Sequence, residues 1–275
     1  MLEIHVNELS DVVDRYVVVE SNNTFFGDAK PLHLQSNLNA GFLGEHAHKI
    51  VPLTVGELRC NGCDPFWPEN HSRNATWLEG KRWLGNVSDD DLFLLTDVDE
   101  IPNRDVVLFL KHHDGYGEPI GLTLRWFLYG FFWERRSALH VYAACTVGFL
   151  RAAGANDLVT LRQGRSPVPK TMPAGTGTVA HQWVIEGARP RFAGWHCSWC
   201  FNAQGIQYKL TSAQRDDGVR WGDLAENTDL AYIESLRKSG RFFDERQWTV
   251  SADGYDAAPA HVIKNKKRLL YLLEP

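Results

Sequence analysis

The sequence predicts an α/β protein with a mixed, mainly parallel central sheet, and three observations carry that expectation. YVVVE at residues 16–20 and LFLL at 92–95 are too short to bury themselves as helices, and read as strands covered on both faces. Segments of helical spacing stand between and after them. Both runs also end abruptly in polar loops, SNNTFFGDAKP after the first and TDVDEIPNR after the second, and ligands of open α/β sheets bind at such strand ends.

Taken in order, residues 2–13 form an amphipathic helix, with apolar residues at 2, 4, 6, 9, 12 and 13. The strand at 16–20 follows, and the loop after it is where a nucleotide base and ribose would sit in a doubly wound sheet, or is an ordinary strand-to-helix turn. Residues 49–55 read as a strand, 57–70 as an irregular Cys- and Pro-containing loop, and Trp77, Leu78, Trp83 and Leu84 as a short helix leading into the strand at 92–95. Asn103 caps a helix whose apolar side is Val106, Val107, Phe109 and Leu110, stopped at Asp114-Gly115. Strands at 120–126 and 139–144 flank the aromatic stretch 127–133, and a helix lies near 147–153. Residues 163–178 hold three Pro and three Gly and read as a long loop. A strand at 191–196 runs into CSWC, and helices follow at 204–216 and 227–239, the second ending at Gly240. No internal repeat or linker divides the 275 residues, so one domain is expected.

With 34 acidic and 29 basic residues the chain has a formal charge of -5, which gives no reason to expect a nucleic-acid or anionic-membrane partner. No window approaches the ~20 continuous apolar residues of a membrane span. Glu3, His5, Asn7 and Glu8 interrupt any apolar core of a signal peptide. Ten Trp, several beside polar residues, suit either flat-faced ligands such as sugars or an aromatic core. The five Cys include the pairs Cys60/Cys63 and Cys197/Cys200, with Cys145 left over; disulfides, free thiols and a zinc site all remain open. Sequons at Asn22, Asn70, Asn74 and Asn86 fit the secretory pathway but also arise by chance.

Asp97 and Asp99 at a strand end place two carboxylates on one side of an extended segment. Hard oxygen ligands of this kind suit Mg²⁺ or Mn²⁺ held together with substrate phosphates, although acidic turns are also common. His196, at another strand end, is a candidate third ligand, and Lys209 on the following helix a candidate diphosphate contact; a buried core histidine and a solvated lysine are the bland alternatives.

The runs TDVDEIPNRDVVLFLK, LTLRWFLYGFFW, TMP, RFAGWHCSWCFNAQGIQYKLTSAQ and RWGD, in this order, closely resemble glycosyltransferase family 17, and ELSDVVDRYVVVESNNTFFGDAKPL resembles the start of the same catalytic domain. The resemblance covers nearly the whole chain. It implies a GT-A-like nucleotide-sugar transferase fold, with residues 1–115 as the nucleotide-sugar-binding half and 116–275 as the acceptor side. It further implies a UDP-GlcNAc donor, a mannose-containing N-glycan or glycoprotein acceptor, Mn²⁺ or Mg²⁺, and inversion at the anomeric carbon.

On that basis the cation would be held by Asp97, Asp99 and His196, and the donor by Glu20, Asn22, Asp97 and Lys209. Asp223 in RWGD is the first choice of general base and Glu100 the second, with a helix cap and a structural partner at a helix start as their alternatives. Arg125, Tyr129, Trp133 and Trp199 are the expected sugar-facing wall. Thr96 departs from the family, whose mammalian member has another Asp there, and the Cys60/Cys63 region is unlike it. Golgi members carry a membrane anchor absent from this sequence, so a Golgi-lumen enzyme without its anchor is expected on a eukaryotic reading, and a cytoplasmic one on a microbial reading. The rivals are a transferase with another donor or acceptor, an inactive carbohydrate-binding homologue, and a zinc or redox protein built on the two CxxC pairs.

Overall fold

A computed structural model of the chain describes residues 1–24, 27–56, 58, 66–152, 157–164, 182–212 and 220–275. Two parallel strands, β1 (Tyr16–Ser21) and β2 (Ile50–Val55), pair in register from Tyr16 opposite Ile50 to Ser21 opposite Val55. Helix α1 (Leu2–Leu9) precedes them, α2 (His33–Asn39) connects them, and α3 (Trp67–Leu78) follows. Val6, Leu9, Val12, Tyr16 and Ile50 form one apolar cluster with Val107 of helix α4 (Arg104–His112).

The larger sheet is organised around β5 (Ile120–Leu128), whose two halves serve different neighbours. Its first half lies between antiparallel β7 (Leu139–Thr146) and parallel β8 (Trp183–Ile185). Its second half pairs in parallel with β9 (Gly194–Ser198), and Phe127 pairs with Glu134 of the short strand β6 (Trp133–Glu134). Beyond β7 lies β3 (Leu92–Leu94), beyond β6 lies β10 (Thr249–Val250), and β4 (Glu100–Pro102) pairs antiparallel with β9.

The architecture is therefore mixed α/β, and the expectation of a mainly parallel sheet is corrected. Residues 129–138 join β5 to β7 by way of β6, too short a connection for the crossover helix that parallel neighbours need. The strand at 92–95 is packed on both faces, Leu92 and Leu94 against the clusters around Leu122 and Val107, and Phe93 with Leu95 in that around Trp77. Leu92, Phe93 and Leu94 are nonetheless only half-buried, and β3 stands at the end of its strand order. Likewise β1 is buried at Tyr16 and Ser21 but only half-buried between them.

Local signals explain several helix ends. The Asn103 side chain accepts from the Asp105 backbone N–H at 3.0 Å, starting α4. Val106, Val107 and Leu110 are buried as expected, whereas Phe109 is exposed and stacks on His113 instead. Helix α5 (Val147–Ala152) follows β7, and α6 (Leu158–Arg162) is capped by Asp157. Helix α7 (Ala203–Ser212) follows β9. Helix α8 (Leu230–Ser239) starts on Asp229, which accepts from Tyr232 N–H, and ends at left-handed Gly240.

Near the C-terminus, Ala257, Ala258, Val262, Leu269, Leu272 and Leu273 pack with Phe127, Phe131 and Trp195, and Val262 lies on helix α9 (Ala260–Lys264). The irregular loop expected at 57–70 is partly replaced by α3, while Cys60 and Cys63 lie outside the described residues, as does the loop at 165–178. Cys197 and Cys200 form a disulfide, which removes that pair from any zinc site, and Cys145 is a buried free thiol. No helix among the described residues is long and apolar enough to cross a membrane.

Candidate active site

After β3 the chain turns through Asp97 to Asp99 and re-enters the sheet as β4. Glu100 N–H closes the turn onto Asp97 O at 2.9 Å, and the Glu100 carboxylate accepts from Asp97 N–H at 3.0 Å. Cys197 N–H donates to Asp99 O at 2.9 Å, so β9 holds the turn from outside. Glu100 stands directly opposite His196 on the β4–β9 ladder. The approach of the two strands depends on Gly194, whose φ is +140° and whose missing Cβ would lie 2.1 Å from Ile101 O.

Two arginines that no sequence motif marks converge on this turn. Arg73 of α3 places Nε 3.3 Å and Nη2 2.7 Å from the two oxygens of Asp97, and also pairs with Glu69. Arg162 at the end of α6 pairs with Glu100 and lies 3.6 Å from Asp97. Burial alone raises the Asp97 carboxyl, but the Arg73 guanidinium, with Arg162 and His196, outweighs it and holds Asp97 below the usual range. Glu100 responds the other way: burial and then the Asp97 charge push it up to about 7, with Arg162 opposing.

His196 is linked to an aromatic scaffold. Trp126 Nε1–H donates to Ser198 Oγ at 3.0 Å, and that hydroxyl lies 2.8 Å from His196 Nε2. The Trp126 ring meets His196 edge-on at 5.9 Å. Burial lowers the His196 pKa, with Asp99 opposing, so the ring is neutral near pH 7. Its Nδ1 is buried and has no hydrogen-bond partner, 3.9 Å from Glu100. A buried orphan nitrogen beside half-exposed Asp99 suits a divalent cation. Asp97, by contrast, is turned toward its arginines, and among the described residues no three His, Cys, Asp or Glu side chains gather to hold a metal ion.

Residues 1–149 match the model of glycosyltransferase family 17. The chain belongs to glycosyltransferase family 17. Its full length is 38% identical, over 281 residues, to the β-1,4-mannosyl-glycoprotein 4-β-N-acetylglucosaminyltransferases of Rattus norvegicus and Homo sapiens. The Mus musculus enzyme of that name matches equally, and the chain spans 52% of each of these relatives. No solved structure matches.

The other residues expected to serve a family 17 site lie on separate elements. Lys209 on α7 stands 4.8 Å over the Trp199 ring, close enough for its charge to act on His196. The Glu20 carboxylate accepts from His33 and Leu34 N–H at 2.6 and 2.8 Å, capping α2 at the end of β1. Asn22 is exposed beside it, its carbonyl accepting from Lys30 N–H. Asp223 is exposed in a short 3₁₀ turn and pairs with Arg220 at 3.1 Å; the cap of α8 is Asp229, not Asp223. Glu100 is 2% exposed with both oxygens engaged, which leaves it positioned to hold the turn.

The expected sugar-facing wall does not present open faces. Tyr129 is wholly buried and donates to Arg241 O at 3.1 Å. Trp199 is buried against Phe242 and Phe243, and half-buried Trp133 donates to Arg237 O at 2.6 Å. Arg125 is buried among Glu134, Asp253, Ser251 and Pro190 O. The aromatic spacing fits a core as well as it fits a wall, and here the core reading holds for Tyr129 and Trp199. Half-exposed Trp126, with Arg135 over its ring at 4.4 Å, is the aromatic that instead reaches the site; its place in an expected strand gave no sign of this.

Proposed function

We propose that this chain is the catalytic part of a metal-dependent, inverting glycosyltransferase of GT-A-like fold that moves GlcNAc from UDP-GlcNAc in β-1,4 linkage to a mannose-containing N-glycan acceptor. The observation that carries the reading is the Asp97–Glu100 turn locked to β9, with the orphan Nδ1 of His196 facing it. The mammalian relatives, whose names state GlcNAc transfer to mannosyl-glycoprotein, support the donor sugar and the acceptor class. On the eukaryotic reading the compartment is the Golgi lumen.

Asp99, His196 and Asp97 would hold Mn²⁺ or Mg²⁺, which when bound supplies charge neutralisation to the leaving diphosphate. Glu100 and the β9 backbone keep the turn in place, Lys209 adds positive charge on the α7 side, and the end of β1 at Glu20 and Asn22 takes the uridine. Asp223 is the first candidate to take the proton from the attacking acceptor hydroxyl, being open to solvent where Glu100 is not.

Transfer from UDP-GlcNAc to a panel of mannose-terminated N-glycans, with Mn²⁺ and with EDTA, tests the proposal. Metal-dependent product, lost in Asp99→Ala with the fold intact, is expected. Turnover that EDTA leaves untouched, or product from another nucleotide sugar alone, rules it out.

A further inference from the structure

We propose that Arg73 and Arg162 form the grip for the donor's diphosphate, and that the Asp97 carboxylate occupies that grip in the donor-free protein. The inference rests on the nucleotide-sugar transferase reading and assigns two residues that this reading does not contain.

Arg73 holds Asp97 by two nitrogens, Nε at 3.3 Å and Nη2 at 2.7 Å. A fork of this kind matches two oxygens at a fixed spacing, which a carboxylate and a phosphate share. Arg162 approaches the same carboxylate at 3.6 Å from another helix, so both guanidiniums converge on one anionic group. Their helices are tied together beside them, because Asn74, next to Arg73, accepts the Leu158 N–H of α6 at 2.8 Å through its side chain. The grip is thus set by the scaffold.

Stability gives no sufficient reason for this arrangement. Arg73 and Arg162 are 16% and 15% exposed, and removing guanidiniums from water costs more than such pairs commonly return. Arg162 also leaves Nη1 buried without a partner, an unmet donor that an apolar side chain would not create. Asp97, at 37%, is the most open member of the group, so an incoming anion reaches the guanidiniums by displacing it. A diphosphate brings more acceptor oxygens than the carboxylate it replaces, enough to satisfy the orphan Nη1 as well.

Calorimetric titration of uridine and of UDP, in one Mn²⁺ buffer, into the wild-type chain and into Arg73→Gln and Arg162→Gln tests the assignment. The quantity read is the ratio of the UDP to the uridine affinity. It should fall by about tenfold or more in each variant, as loss of a charged hydrogen bond implies, with uridine binding kept. A purely structural role would lower both affinities together and leave the ratio unchanged, which overturns the proposal for that arginine. Arg162→Gln strands the buried Glu100, so the double variant Arg162→Gln/Glu100→Gln replaces it if uridine binding is lost, with the same ratio expected. A wild-type chain that does not favour UDP over uridine overturns the transferase reading itself, and this inference with it.

Discussion

Glu100 and His196 face each other across the β4–β9 ladder, with His196 Nδ1 3.9 Å from the Glu100 carboxylate and Nε2 turned to Ser198. The ring is thus fixed by its far nitrogen, leaving the near one to the site. Ser198→Ala removes the group that orients it and also strands Trp126 Nε1–H. The expected cost is about 1–3 kcal/mol in urea unfolding and a loss of roughly tenfold or more in Mn²⁺ affinity. Unchanged Mn²⁺ affinity by calorimetry would show that the hydroxyl does not position the ring.

Gly194→Ala should be more severe than its size suggests. The added methyl meets backbone, Ile101 O at 2.1 Å, rather than a side chain that can swing away. Separation of β4 from β9 is expected, with about 2 kcal/mol or more lost in denaturant unfolding. A variant with wild-type stability would contradict the close approach.

Trp199→Ala distinguishes a core tryptophan from a sugar platform. Buried with Phe242 and Phe243, it should cost about 3–5 kcal/mol of stability. A selective rise in the acceptor KM, with the unfolding midpoint unmoved, would restore it to the sugar-facing wall.

His5 sets an acid limit on the fold. Burial beneath the 97–99 turn lowers its pKa from 6.5 to about 4, so the unfolded chain binds the proton more readily. Its contribution is fully present above pH 6.5 and is lost as pH falls from there toward 4, in all about 3 kcal/mol. In His5→Phe the slope of stability against pH between those values should flatten; an unaltered slope would place the protonation elsewhere.

The Cys197–Cys200 bridge closes a very short loop. On chain-entropy grounds its replacement by two alanines should cost only about 2 kcal/mol, leaving a folded protein. Thermal unfolding of the double variant checks this, and loss of all structure would mean that the bridge does more than close a loop.

Most helices and strands were legible because their signals are local. Asn103 and Asp229 cap their own helices, Gly240 ends one, and YVVVE needs no partner to read as a strand. Strand direction was not legible, since it depends on which neighbour β5 pairs with in each half. At the site, the carboxylate turn and His196 stood out, and the family resemblance linked them. Arg73 and Arg162 did not, because a helical arginine carries the same letter whether it faces water or a carboxylate 24 residues away in sequence. Tyr129 and Trp199 misled for the converse reason: aromatic side chains serve a core and a sugar surface equally well.

The β4–β9 ladder has a consequence for how the protein comes to be made. It joins segments nearly a hundred residues apart, whereas β5, β6 and β7 meet within a short stretch of chain. Closing the longer loop costs more entropy and comes later, so on the ribosome the sheet around β5 can assemble while the 97–99 turn still lacks its support. The nascent chain is therefore expected to carry an acidic turn without a binding site until β9 emerges. Pulse-labelled hydrogen exchange during refolding should show the β5–β7 amides protected before those of Glu100 and Cys197.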